Sequence, residues 1–274
     1  MSLTLATKLP NARRSLRTSS LLRSEWIKIR TVRSTMWTLL AMVIISLGVS
    51  VIAAIAISGH WSSMSLGHRL SFDPTGISLR GLLLSQLVVG VLGVLVISAE
   101  YGTGTIRATL SAVPHRSVVL ATKAAVFAAL SLVVGEALSF VAFILGQTLL
   151  KSPAPHATLN QPGVLRAVVG GGLVIMVMGL FALGLATIIR HSAGAITAYV
   201  ATLLIVPLLV AALPSSMSVP INKYLPLNIG HAMTSVSHGV DPSSLSPWVG
   251  FAVLCAYALI ALVLGGVLMV RRDA

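Results

Sequence analysis

Six long apolar runs constrain what this chain can fold into. Each run is close to the roughly 20 residues that an α-helix needs to cross the hydrocarbon core of a bilayer. The runs are Met36 to Ser58, Gly81 to Ser98, Ala124 to Leu150, Ala167 to Ile189, Ile196 to Leu213 and Trp248 to Val270. Only 9% of the 274 residues are charged, against about a quarter in soluble domains. The sequence therefore predicts an all-α polytopic membrane protein with six transmembrane helices within residues 36–270.

Two features of these runs refine the prediction. The first run is long and follows a tail of 35 residues, so we expect a permanent span rather than a removable signal peptide. Pro207 removes a backbone donor inside the fifth run and predicts a kink there. The single cysteine, Cys255, lies in the sixth run and excludes a disulfide within the chain, and we interpret it as a small core residue.

The distribution of positive charge predicts the orientation. The formal net charge is +13, from 19 Lys and Arg against 6 Asp and Glu. With the N-terminus inside, fourteen of these cations fall in inner segments, which is the side that retains them. We therefore expect the inner (plasma) membrane, with residues 1–35 and 271–274 both cytoplasmic. The charge balance indicates contact with anionic lipid rather than nucleic acid.

The tract from Leu21 to Arg33, LLRSEWIKIRTVR, has an amphipathic helical pattern. Its apolar face contains Leu21, Leu22, Trp26, Ile29 and Val32. A helix of this kind, with Lys28 among its basic residues, lies along the inner membrane surface as an interfacial helix. Glu25 projects toward the apolar face, so we expect it to pair with a basic residue of another segment. The helix serves either as a plain anchor or in transmitting force.

The segment from Glu100 to Arg116, EYGTGTIRATLSAVPHR, is the one substantial cytoplasmic loop between spans in this topology. Gly102 and Gly104 permit a turn, and the following IRATLSAV predicts a short helix that ends at Pro114. The apolar face of this helix would consist of Ile106, Leu110 and Val113, and a threonine at 103 or 105 would cap it. The helix either docks into a groove of a cytoplasmic protein or packs on its own spans.

Three stretches carry a resemblance to a known family. They are SEWIKIRTVRSTMW before the first span, EYGTGTIRATLSAVPHRSVVLATK after the second and NKYLPLNIGHAM before the sixth. Together they resemble the permease subunits of type-2 ABC transporters, especially the small six-span permeases abundant in actinobacteria. The resemblance covers nearly the whole chain.

This resemblance implies an interfacial helix, a cytoplasmic coupling helix between spans two and three, an outer helical segment between spans five and six, and a separate ATPase subunit. The residues that it assigns to the interfacial helix are Glu25, Trp26 and Lys28. Those in the coupling region are Glu100, Tyr101, Gly102, Thr103, Arg107 and Leu110, to which the apolar pattern adds Ile106. The resemblance favours export, and the apolar spans favour an amphipathic or lipophilic cargo.

The chain has no ATP-binding loop of its own. A Walker A motif needs a Gly-Lys pair, and the sequence contains none. We therefore expect no enzymatic activity and no cofactor in this chain, with ATP and Mg²⁺ bound by a cytoplasmic ABC ATPase partner. Because one chain supplies six spans, a second copy or a homologue is expected to complete a dimer. The alternatives are an intramembrane enzyme and a sensor or immunity subunit that transports nothing.

Other polar residues suggest rival sites. Glu136, Ser139 and Gln147 form a sparse stripe on the third span, which serves either a substrate path or contacts between helices. Five histidines fall on the outer side: His60, His68, His156, His231 and His238. His231 and His238 would lie about 10 Å apart on a helix, so no metal site is predicted. Glycines in the fourth and sixth spans predict close helix packing.

Overall fold

A computed structural model of the protein describes residues 21–28, 30–102, 104–105, 116–236 and 244–271. Within these ranges the chain is helical and contains no strands. Six of the helices are long and apolar enough to cross a membrane, which confirms the predicted all-α class and the character of a multi-pass membrane protein.

Long and short helices alternate with short connections along the described chain. A first helix, α1, comprises the described residues 21–28 and 30–31 and precedes Val32, which is extended. The further helices are α2 (Arg33–His60), α3 (Leu66–Leu70), α4 (Pro74–Ser78), α5 (Leu82–Gly102), α6 (Arg116–Leu149), α7 (Val164–Ile189), α8 (Ser192–Val200), α9 (Val206–Ala211), α10 (Ser215–Asn222), α11 (Pro226–Thr234) and α12 (Pro247–Arg271). The candidate spans are α2, α5, α6, α7, the α8–α9 pair and α12.

Helix α7 forms the centre of the bundle. It is the most buried of the candidate spans, and α5, α6 and α12 pack around it. Small residues allow this close approach: a Cβ atom on Gly184 would lie 2.7 Å from the Cβ atom of Ala261, and one on Gly265 would lie 2.8 Å from Cβ of Thr187. At these two positions the predicted role of the glycines in packing is confirmed. Helices α2, α8–α9 and α12 face outward with exposed apolar side chains, as contact with hydrocarbon requires.

Two helix ends differ from the sequence prediction. Helix α6 begins at Arg116 rather than at Ala124, and α5 continues through Glu100 and Tyr101 to Gly102. Glu100 therefore belongs to the last turn of a span and not to a loop. The prediction placed the end of α5 before Glu100 and the start of α6 after Lys123, because an unpaired charge does not continue into an apolar span. Glu100 and Lys123 form an ion pair, so both residues lie within the helices.

Two connections also differ. The chain between the fifth and sixth spans contains two helices, α10 and α11, where one was predicted. Before Pro207 the fifth span widens into a π-helical turn, Ala201–Ile205, in which the amide of Val206 donates to the carbonyl of Ala201. Such turns accommodate local strain in the hydrogen-bond ladder.

The contact between α7 and α12 generates a stability prediction. Gly184→Val would place methyl groups against the backbone of Ala261, whose carbonyl carbon would lie 2.8 Å from a Cβ atom at residue 184. We expect a loss of about 1–3 kcal/mol in the free energy of unfolding, as for other overpacked cores. Thermal unfolding of the purified protein, followed by tryptophan fluorescence, measures it.

Gly48→Val is the matched control, because nothing lies within 4 Å of a Cβ atom at Gly48. An equal loss in both variants would contradict the close approach of α7 and α12.

Candidate functional site

Four charged side chains form an ion cluster where α1, α5 and α6 meet. Lys123 Nζ lies 2.7 Å from Oε2 of Glu25 and 2.6 Å from Oε1 of Glu100. Lys28 Nζ lies 3.1 Å from Oε1 of Glu25 and 3.0 Å from Oε1 of Glu100. Each ammonium group thus binds both carboxylates, and the two positive and two negative charges balance. The pairing predicted for Glu25 is confirmed, and its partners are Lys123 and Lys28.

Three of the four side chains in the ion cluster are buried, and the fourth is half-exposed. The Lys123 side chain is 1% exposed, that of Glu25 6% and that of Glu100 12%, whereas Lys28 is 46% exposed. Burial of an ammonium group is costly unless carboxylates accept its hydrogen bonds. At Lys28 burial opposes the charged form, but the hydrogen bond and charge of Glu100, and then those of Glu25, outweigh it and raise the pKa of the Lys28 ammonium.

Local sequence explains how the four residues meet. Glu25 and Lys28 are three residues apart, so they lie on one face of α1. Glu100 lies in the last turn of α5, and Lys123 lies about two turns after the start of α6. The segment 103–115 connects these two helices along the chain. The ion cluster therefore joins α1 to the last turn of α5, which precedes that segment, and to α6, which follows it.

Helix α1 presents its acidic residue to the bundle and its apolar residues outward. Glu25 is buried, while Leu22, Trp26 and Ile27 are 42–48% exposed. A cavity of about 360 Å³ lies between α1 and α6, with Leu22, Trp26 and Val126 among its walls. The ion cluster therefore holds α1 against α6 where the apolar packing between these helices is incomplete.

A second contact joins three helix ends beside the ion cluster. The guanidinium carbon of Arg190 lies 5.5 Å from the ring centre of Tyr101, within cation–π range. Arg190 also donates from Nη2 to the carbonyl oxygen of Leu268 at 2.9 Å. Because Arg190 caps α7 in the left-handed conformation, at φ 62°, its side chain connects the ends of α5, α7 and α12.

The structure describes only some of the other residues in the predicted coupling region. Gly102 ends α5, and Gly104 has the left-handed φ of 72° that fits the predicted turn. Thr103, Ile106, Arg107 and Leu110 lie outside the described residues.

The polar stripe of the third span does not act as one unit. Ser139 Oγ donates to the carbonyl of Val168 at 2.5 Å. The Gln147 amide donates to the carbonyl of Pro74 at 3.0 Å and the hydroxyl of Ser78 at 2.9 Å, and accepts from the amide of Ala157 at 2.7 Å. Both residues therefore serve contacts between segments.

Glu136 stands apart from these two residues. Its carboxyl group lies against α7, where a Cβ atom on Gly172 would be 2.5 Å from Cδ of Glu136. Its Oε2 atom is buried and forms no hydrogen bond to any described residue. Gly172 thus makes room for the carboxyl group, but no described donor satisfies this oxygen.

At the opposite end of the bundle, two charged residues bind backbone groups in the last turn of α11 and just after it. Asp73 caps α4 by accepting from the amide of Thr75 at 3.0 Å, and also accepts from the amide of Val236 at 2.6 Å. Arg166 donates to the carbonyls of Met233 and Ser235 at 3.0 and 2.9 Å. Sequence reasoning missed this contact, although Asp followed by Pro is a recognisable helix start.

Metal ligands do not converge in the described part of the chain. No group of three or more His, Cys, Asp or Glu side chains there could hold an ion. His60 donates from Nδ1 to the carbonyl of Ala56, and His68 contacts Ser65. His238 lies outside the described residues.

Comparison with known proteins assigns no family. The sequence matches no protein-family model, and no curated protein is significantly similar to it. The ion cluster is thus the strongest candidate functional feature. Its groups pair with one another and leave no free nucleophile and base beside each other, so its chemistry suits a joint between helices better than a reaction centre.

The ion cluster generates a second prediction. Lys123→Met retains much of the side-chain volume but leaves two buried carboxylates with only Lys28 as a partner. We expect a loss of about 3–5 kcal/mol in the free energy of unfolding, typical of a broken buried pair. Lys151→Met is the control, because Lys151 is exposed at the opposite end, and its effect should stay within about 0.5 kcal/mol.

A double-mutant cycle separates pairing from general damage. Combining Lys123→Met with Glu25→Gln should destabilise by less than the two single losses added, with a coupling energy of about 0.5–3 kcal/mol. Additive losses would contradict the direct contact between Lys123 and Glu25.

Glu136 generates a third prediction. Glu136→Gln preserves the shape of the side chain and removes no described hydrogen bond, so the free energy of unfolding should change by less than about 1 kcal/mol. A much lower unfolding temperature for the purified variant than for the parent protein would contradict this prediction and would show that the carboxyl group has a structural partner.

Proposed function

We propose that this chain is the permease subunit of an ABC transporter. It couples ATP hydrolysis in a separate ATPase subunit to export of an amphipathic or lipophilic substrate across the plasma membrane. The ion cluster is the observation that carries this proposal. It ties α1 to the last turn of α5 and to α6 about two turns after its start, so a force on the segment 103–115 between α5 and α6 is transmitted to three helices at once.

The orientation in the membrane follows from charge. The end of the bundle that contains α1 also contains most of the Lys and Arg residues, and such segments are retained in the cytoplasm. In this orientation both termini and the ion cluster face the cytoplasm. The exposed side chains of Leu22, Trp26 and Ile27 then reach the inner leaflet, while the buried face of α1 is held by Glu25. Helix α1 is thus an interfacial helix anchored on the bundle.

The ATPase binds at the segment between α5 and α6. We assign the contact to Ile106, Arg107 and Leu110 by their apolar and basic character in the sequence, and Glu100, Tyr101 and Gly102 form the end of α5 that precedes them. ATP and Mg²⁺ are bound by the ATPase, and this chain binds neither. Closure of the ATPase pulls on the segment and tilts α5 and α6 relative to α7, in the manner of other rocking transitions.

The substrate path lies between two permease chains. Among the described residues, helix α7 packs closely against α5, α6 and α12, which favours a path outside the single bundle. The apolar outer faces of α2 and α8–α9 are the surfaces that a second copy or a homologue can meet. Their composition suits an amphipathic or lipophilic cargo.

Copurification tests the proposal. The full chain, tagged and isolated from its native membrane, should bring an ABC ATPase with it. Arg107→Ala combined with Leu110→Ala should lower the recovered ATPase at least about tenfold, which corresponds to a modest loss of binding energy. Quantitative mass spectrometry of the isolated complex gives the ratio of the two subunits.

The matched control replaces Leu70 and Arg80 by alanine, since both are exposed at the opposite end. A chain that is isolated alone and is fully active would refute the proposal. An ATPase that binds but whose turnover no cargo stimulates would favour a sensor or immunity subunit.

A further inference from the structure

A groove opens on the outside of the bundle between α6 and α12, at the end that contains the ion cluster. Its volume is about 610 Å³, within the range of about 300–1,000 Å³ that small-molecule sites occupy. Its walls include Ser117, Leu120 and Ala124 of α6 and Gly266, Val267 and Arg271 of α12. These positions recur every three or four residues on each helix, so each helix contributes one continuous face.

The groove is apolar along its length and cationic at one end. Leu120, Ala124 and Val267 provide hydrocarbon walls, whereas Arg271 lies at the last turn of α12 and is exposed. Within the described part of the chain, Arg271 forms no ion pair. Ser117, in the first turn of α6, adds a hydroxyl group at the same level. An apolar slot that ends at an exposed guanidinium group is complementary to an amphipath with an anionic head.

A glycine keeps this groove open. On α12, Gly265 is closed in by α7, since a Cβ atom there would lie 2.8 Å from Cβ of Thr187. At the next residue, Gly266, the nearest atom to such a Cβ is Cδ2 of Leu120 at 3.5 Å, which is an ordinary van der Waals distance. The glycine at 265 is needed for packing, but the one at 266 leaves space that a larger side chain would occupy.

We propose that this groove binds one anionic phospholipid of the surrounding bilayer, with an acyl chain between α6 and α12 and the phosphate at Arg271. From Ser117 to Ala124 the groove runs about 10 Å along α6, which stays within the roughly 15 Å depth of one leaflet. The arginine lies at the membrane surface end of the groove, where a phosphate of that leaflet is found. This site is distinct from the ion cluster and holds whether or not the chain is a transporter.

A second copy of the chain is a less suitable occupant. In a two-fold contact through this groove, each copy would bring its own Arg271 to the interface. The two guanidinium groups would repel one another, whereas a phosphate is attracted to either of them. Charge therefore favours the lipid.

The experiment measures lipid retained by the full-length chain. The purified protein is equilibrated with equal amounts of phosphatidylglycerol and phosphatidylethanolamine that carry the same acyl chains, and native mass spectrometry counts the lipid that stays bound. The parent protein should retain one phosphatidylglycerol in preference to phosphatidylethanolamine. Arg271→Gln should reduce that preference about fivefold, the effect of one cation near an anionic headgroup.

Arg33→Gln is the charge control, because Arg33 is exposed at the same end but does not line the groove. Gly266→Leu should abolish retention of both lipids by filling the groove, and Gly48→Leu, which faces open space, should not. Val267→Trp fills the same groove from an exposed position and replaces Gly266→Leu if that variant does not fold.

The outcomes are distinct. Equal retention by the parent protein and the groove variants would overturn the proposal, as would equal loss in Arg271→Gln and Arg33→Gln. A protein dimer that disappears in Gly266→Leu, with no bound lipid, would assign the groove to a second copy and would also overturn it.

Discussion

The burial of one ammonium group organises the end of the bundle where α1 lies. Lys123 is almost fully enclosed, and Glu25 and Glu100 bind it from different helices. An ammonium group in such surroundings must have both its charge and its hydrogen bonds satisfied by protein. The position of α1, the end of α5 and the start of α6 are therefore fixed relative to one another by the needs of a single side chain.

Close packing determines the remainder of the bundle. Helix α7 uses glycines such as Gly184 to bring α12 near, and the resulting contact is between backbones. Such contacts suit a membrane, where the hydrophobic effect does not drive helices together and packing and hydrogen bonds must do so. The α6–α12 groove arises beside this contact, because α12 lies close to α7 and leaves space toward α6 near Gly266.

The number of candidate spans and the all-α class were predictable because hydrophobic length alone determines them. The ends of α5 and α6 were not, and the reason is the ion cluster itself. Glu100 and Lys123 were interpreted as span boundaries, since an unpaired charge does not continue into an apolar helix. Pairing removes that restriction, but the partners Glu25 and Lys123 are 98 residues apart in sequence. The pattern around Glu25 showed that a cation was needed and could not show which one.

The contacts at the opposite end of the bundle constrain the amino-acid sequence less than the ion cluster does. Arg166 and Asp73 bind main-chain atoms of Met233, Ser235 and Val236, and every residue type except proline offers the same carbonyl and amide groups. The residues of that segment can therefore be substituted while its hydrogen bonds with Arg166 and Asp73 are kept. The four members of the ion cluster have no such freedom, because each recognises a side chain, and replacement of one requires compensation by the others.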